Sequence, residues 1–106
     1  MATGRLGAAD LSATTNTTIY TCPASTFTVA SVSICNRTAS TVTVRLAIAA
    51  SSTPAAAEYL EYDVQILANG VLERTGIVLD AGKLLVAYSS SANISVVAMG
   101  IETSTL

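Results

Sequence analysis

Residues 41–48 read "TVTVRLAI". Val42, Val44, Leu46 and Ile48 fall on one face, and Thr41, Thr43 and Arg45 on the other. A period of two is the pattern of a strand with one buried and one wet face. "EYLEYDVQI" at 58–66 repeats it, with Leu60, Tyr62, Val64 and Ile66 alternating with Tyr59, Glu61, Asp63 and Gln65. Enrichment in β-branched residues agrees. Outward from these segments the chain is punctuated. "CPAST" turns it before Phe27, and "ASSTPAAA" makes a longer loop at 50–57. "ANG" at 68–70 reads as a tight hairpin turn, because Asn and Gly accept positive φ. "DAG" at 80–82 and "SSSAN" at 89–93 close two more. The spacing predicts about seven or eight short strands, near 4–11, 16–22, 27–37, 41–49, 58–67, 71–79, 83–89 and 93–102. An alternative for 55–62 is a short helical turn beginning at Ala55 to Ala57. The fold class is all-β: a single antiparallel β-sandwich or jelly roll. Residues 1–15 are read as an N-terminal arm or edge strand that orders on docking, and 16–106 as the sandwich domain.

At 106 residues the chain is one domain. Half of its residues are hydrophobic, mostly Ala, Val, Ile and Leu, while charged residues make up only 11%. A surface of Ser and Thr with so little charge suits a β-protein whose exterior meets other protein, more than a solitary soluble enzyme. Net charge is −2 without a basic run, so the footprint of a nucleic-acid binder is missing. No stretch is long enough to span a bilayer, and "MATGRLGAAD" lacks the apolar region of a signal peptide. Synthesis in a cytoplasm is expected, with no membrane partner.

One segment breaks the one-wet-face rule. In "NISVVAMGI", Ile94, Val96 and Ala98 share one face, and Val97, Met99 and Ile101 share the other. Either this is a central strand covered on both sides within the chain, or Val97, Met99 and Ile101 form a subunit interface.

Little here carries chemistry. Without histidine, the usual serine triads, Cys–His nucleophiles and most zinc enzymes are excluded. Glu58, Glu61 and Asp63 form a carboxylate cluster, with Glu61 and Asp63 expected on one strand face and within roughly 7 Å. Such a pair could hydrolyse glycosides or hold calcium; the plainer reading is a solvated face that discourages edge-to-edge pairing. The four tyrosines, at 20, 59, 62 and 88, are dispersed and offer no aromatic platform. Sequons at Asn16, Asn36 and Asn93 carry little weight in a chain without a secretory signal. No catalytic residue, metal or cofactor is assigned.

The two cysteines, Cys22 and Cys35, are too far apart in sequence for a metal knuckle. If 16–22 and 27–37 form a hairpin around "PAST", the two lie roughly 26 Å apart, far beyond the Cα separation a disulfide needs. Two readings stay open: reduced cysteines acting as small apolar side chains, or an interchain disulfide through Cys22, the more accessible, formed once lysis admits oxygen. Cys35 shares parity with Ser33 and Arg37, on the wetter side.

Two stretches, "TIYTCPASTFTVASVSICNRTASTVTVRLAIA" and "EYLEYDVQILANGVLERTGIVLDAGKLLVAYSSSANISVVAMGIE", together resemble the small all-β virion structural proteins of tailed bacteriophages. That family runs from a "lYtvPa" strand through a "…vCN…a…vrlai" pair and a "G..L.aGd.l.v.ss…" hairpin to a final "…v.a.G.E" strand. The likeness covers about residues 16–102, and Cys22 stands where an apolar residue such as Val is expected. It implies no catalytic residues. It implies a capsid decoration (cement) protein, or a tail, neck or fibre-associated protein aiding host attachment. The expected partners are the major capsid protein or other virion proteins and further copies of the chain, with a trimer favoured. The expected place is the outer surface of the particle. From another class, a small carbohydrate-binding module or hydrolase using Glu61 and Asp63 stays open.

Overall fold

The structure, a computed structural model, describes residues 2–106. Alternation is strictest in the third strand, where residues 26–36 switch between buried and accessible positions without a break. The strands among the described residues are β1 Thr3–Leu11, β2 Thr17–Thr21, β3 Thr26–Asn36, β4 Val42–Ala49, β5 Tyr59–Ile66, β6 Val71–Leu79, β7 Leu84–Ser89 and β8 Ile94–Ser104. Both readings of the 55–62 segment hold in part: a 3-10 turn spans Ala56–Glu58, and β5 begins at the next residue.

These strands form two four-stranded antiparallel sheets, ordered β1-β8-β3-β6 and β2-β7-β4-β5. They pack face to face as an eight-stranded jelly roll. Only β4 and β5 are both consecutive in the chain and paired with each other. Every other connection crosses between sheets. This corrects two expectations. "PAST" does not close a hairpin, since β2 and β3 lie in opposite sheets, and "ANG" joins β5 of one sheet to β6 of the other. The turn chemistry itself is as read: Asn69 has φ 56° and Gly70 N–H donates to the Leu67 carbonyl at 2.8 Å.

The core lies where the inner faces meet. Val32, Ile34, Ile94, Val96 and Leu79 from one sheet pack against Val44, Leu46 and Leu85 from the other, all at most 1% exposed. Burying each such side chain stabilises by about 1.5–3 kcal/mol. Residues 3–11 are the edge strand β1, paired with β8 from Thr3↔Ile101 to Leu11↔Ile94, and Leu11 enters the core at 2% exposure.

Three β-bulges shape the far edges, two on β5 and one on β6. Between Ala30 and Val32, β6 carries an extra residue, with Gly76 at φ 72°. Between Val44 and Leu46, β5 carries one, with Asp63 at φ 52°. The edge strands β5 and β6 face each other across the open side of the sandwich, where Arg74 Nη1 reaches Glu61 Oε2 at 3.3 Å. Charges at such an edge keep it from pairing with another sheet.

Candidate functional site

The three clustered carboxylates do not form one site. Glu58 accepts from the backbone N–H of Ala55 at 2.8 Å and of Ala50 at 3.0 Å, which pins the 50–58 loop. Glu61 faces the core-side register position of Leu46 and pairs with Arg74 of the opposite sheet. Asp63 takes Arg45 Nε at 2.7 Å and Nη2 at 3.4 Å. The expectation that Glu61 and Asp63 share a strand face is therefore corrected. The bulge between them shifts the alternation, so each carboxylate meets a different arginine. No group of acidic, Cys or His side chains among the described residues is placed to hold a metal ion.

Tyrosines dispersed in the sequence partly converge. Tyr88 lies directly across from Arg45, whose guanidinium sits 4.2 Å from the Tyr62 ring centroid and 4.4 Å from that of Tyr88. Tyr59 meets Tyr62 edge-on at 4.9 Å. The hydrogen bonds from Arg45 to Asp63 raise the arginine's pKa further, so the cation is permanent. Cation–π contacts of this kind contribute about 0.5–1 kcal/mol each at exposed sites. Beside the cluster the sheet is closed: Ala47 and Ala49, outward by parity with Arg45, are fully buried, with the 3-10 turn against β4.

The cysteines exchange the roles expected of them. Cys22 is buried, at 1% exposure. Its Sγ lies 3.4 Å from the Thr26 carbonyl and from Thr28 Oγ1, and 3.6 Å from the Leu79 carbonyl. An interchain disulfide through Cys22 is thereby excluded from the folded chain, because the sulfur faces the core. Cys35 is the partly accessible thiol, on the outward face of β3. The contacts of Cys22 are at the start of β3, seven residues from Cys35, or about 23 Å along the strand.

Beside Cys22 lies a polar group that sequence reasoning missed. The Tyr20 hydroxyl donates to Glu102 Oε2 and meets Thr28 Oγ1 at 2.8 Å, while the Ala2 N–H donates to Glu102 Oε1 at 2.9 Å. Burial, then the Glu102 carboxylate, pushes the Tyr20 phenol up to about 12. The hydrogen bonds from Tyr20 and Ala2 hold Glu102 below the usual carboxylate range. Asn36, given little weight as a sequon, has a structural part that sequence reasoning did not assign. It is fully buried, with Nδ2 donating to the carbonyls of Ser40, Ile66 and Leu67 at 2.7–3.1 Å. Its Oδ1 accepts from Thr38 N–H at 2.9 Å. The signal was present in "NRT", since Asn bonding to the residue two ahead is an Asx-turn.

The remaining feature is the outer face of the β1-β8-β3-β6 sheet. Val97, Met99 and Ile101 project from it, opposite the buried Ile94, Val96 and Ala98. Val97 is half-buried, while Ile101 is 56% and Met99 37% exposed. Register continues the strip, since Ile101 lies across from Val29, and Val29 across from Val78. Six of the nine exposed large hydrophobic residues among the described residues lie on this one face: Phe27, Val29, Val71, Val78, Met99 and Ile101. A contiguous apolar patch on a sheet face marks an interaction surface.

Compared with protein-family models, curated proteins and solved structures, the chain matches none.

Proposed function

We propose that this protein is a non-enzymatic structural component of a tailed-phage particle, a decoration protein that binds the head lattice and stabilises it. The observation that carries the reading is the apolar outer face of one sheet on a small jelly roll with sparse charge. Such a surface gains free energy on being covered, at roughly 25 cal/mol per Å² of apolar area. The Ser- and Thr-rich remainder is suited to contact with neighbouring capsid subunits. Binding energy spread over several subunits resists the internal pressure of the packaged genome. The resemblance between residues 16 and 102 and small virion proteins supports the same reading. Purified protein added to expanded heads lacking it should bind saturably and raise their resistance to heat or chelation; absence of binding overturns head decoration. Binding to isolated tails instead would favour the tail, neck or fibre placement.

A second reading rests on the Arg45, Tyr59, Tyr62 and Tyr88 cluster, where Tyr62 is 56% exposed. It is a carbohydrate-binding surface used in host attachment. Glycan-array binding lost on Tyr62→Ala would favour it, and an array without signal removes it.

A further inference from the structure

From the charges that border the apolar strip, we propose that the outer face of the β1-β8-β3-β6 sheet is covered by a second copy of the same chain, in a two-fold, face-to-face pair. This deepens the assembly reading above and rests on its premise that the face is buried in the working particle.

Among the described residues, four ion pairs occupy most of the charged side chains: Arg37–Asp10, Arg45–Asp63, Arg74–Glu61 and Lys83–Asp80. Arg5 and Glu73 make no ion pair among the described residues, and both belong to this face. Arg5 lies across from Met99 on β1, and Glu73 across from Ser33 on β6. They therefore stand at opposite edges of the sheet, one positive and one negative, with the apolar strip between them.

Symmetry turns that arrangement into a fit. A two-fold axis parallel to the strands and midway between β8 and β3 lays β1 of each copy over β6 of the other. Arg5 then faces Glu73 of the partner subunit, and the contact occurs twice. Along the strands the two differ by the step from Ser31 to Ser33, about 7 Å, which an arginine side chain can bridge. An axis running across the strands would instead set β1 on β1 and leave both charges unmatched.

Closed symmetry also argues for a pair over the trimer expected from the sequence. A cyclic trimer joins two different patches, whereas a two-fold contact joins one patch to itself. Of the other exposed large hydrophobics among the described residues, Tyr62 belongs to the opposite sheet, Leu67 follows its strand β5 and Leu106 is at the chain end, so they form no second patch. Area is sufficient. Four strands of nine to eleven residues span about 19 Å by about 33 Å. Two such faces cover about 1,200 Å², within the range of specific interfaces.

The test is the mass of the purified chain in solution, by sedimentation or light scattering across a dilution series. Wild type should sediment at twice its 10.8 kDa chain mass and dissociate on dilution. Ile101→Asp, at an exposed position that leaves the fold intact by circular dichroism, should give monomer. Arg5→Glu or Glu73→Arg alone should weaken the pair about tenfold or more, through like-charge contacts. The double variant R5E/E73R should restore it to within about threefold of wild type. A monomer or trimer at all concentrations overturns the proposal, as does a dimer indifferent to Ile101→Asp or a double variant without rescue. Head binding, measured separately, distinguishes the two failures. A monomer that binds heads defeats the pair alone, and a dimer that ignores them defeats the decoration reading alone.

Discussion

Asn36 and Tyr20 show how single polar side chains hold this small sandwich together. The Asn36 amide ties the end of β3 to the end of β5 through the Ile66 and Leu67 carbonyls, the first of them buried, and to the β3–β4 loop through that of Ser40. Asn36→Ala leaves those carbonyls short of a donor, and buried unsatisfied groups cost about 1–3 kcal/mol. Urea denaturation should show a loss of about 2–3 kcal/mol, well above an ordinary surface substitution. Tyr20 links β2 to β3 and β8 through Thr28 and Glu102. Its folded pKa lies above the unfolded one, so its contribution is complete below about pH 10 and is lost as pH rises toward about 12. Glu102 behaves oppositely: its depressed pKa adds stability above the ordinary carboxylate range, lost as pH falls below it. Tyr20→Phe should cost about 1–2 kcal/mol at neutral pH and flatten the alkaline decline, as read from melting temperatures between pH 7 and 11. An alkaline limb unchanged in Tyr20→Phe would assign that decline to other groups. The thiols give a third check. One equivalent of a maleimide should react with the folded monomer at Cys35, and the second, Cys22, only after denaturation.

At the scale of elements, the residues that made strands legible are those whose signal is local. "TVTVRLAI" alternates because one face meets the other sheet while Thr43 and Arg45 on the opposite face stay partly accessible, and β4 is found at Val42–Ala49. "ANG" and "DAG" carry positive φ at Asn69 and Gly82, so their turns were legible too. Which sheet each turn leads to was not, because a tight turn between paired strands and one between stacked sheets use the same residues. The bulge at Asp63 was hidden for a related reason. A period of two assumes an unbroken ladder, and Asp at positive φ costs too little to announce itself. Hence the misplaced pairing of Glu61 with Asp63, and the unseen meeting of Arg45 with Tyr62 and Tyr88. Close strand approach is another element-scale constraint. A Cβ on Gly100 would lie 2.0 Å from the Val29 carbonyl oxygen and 2.8 Å from Ala30 Cα, both backbone. Gly100→Ala should therefore force β8 from β3 and cost at least about 2 kcal/mol. A melting temperature within a degree of wild type would show that the ladder can yield there.

For the whole molecule, the decisive element is the one whose sequence was least patterned. Residues 1–15, with two glycines and four alanines among them, read as an arm or edge strand because they are only loosely patterned. Backbone pairing along β8 supplies what side chains do not, and Gly7 lets β1 approach β2 so closely that a Cβ would lie 2.1 Å from the Ile19 carbonyl oxygen. The Ala2 N–H on Glu102 and the Arg37–Asp10 ion pair fasten its two ends. An arm ordering only on docking could be removed without harm to the free domain. An integral edge strand cannot, since its loss uncovers Leu11's place in the core and the hydrogen-bonding edge of β8, the strand carrying Val97, Met99 and Ile101. A chain beginning at Ser12 should lose most of its cooperative unfolding transition, or aggregate through the bared edge. Thermal unfolding followed by circular dichroism and light scattering checks this. A truncated chain melting within a few degrees of the full one, in soluble form, would return β1 to the status of an appendage, and with it the placing of Arg5 as a fixed charge on the sheet face.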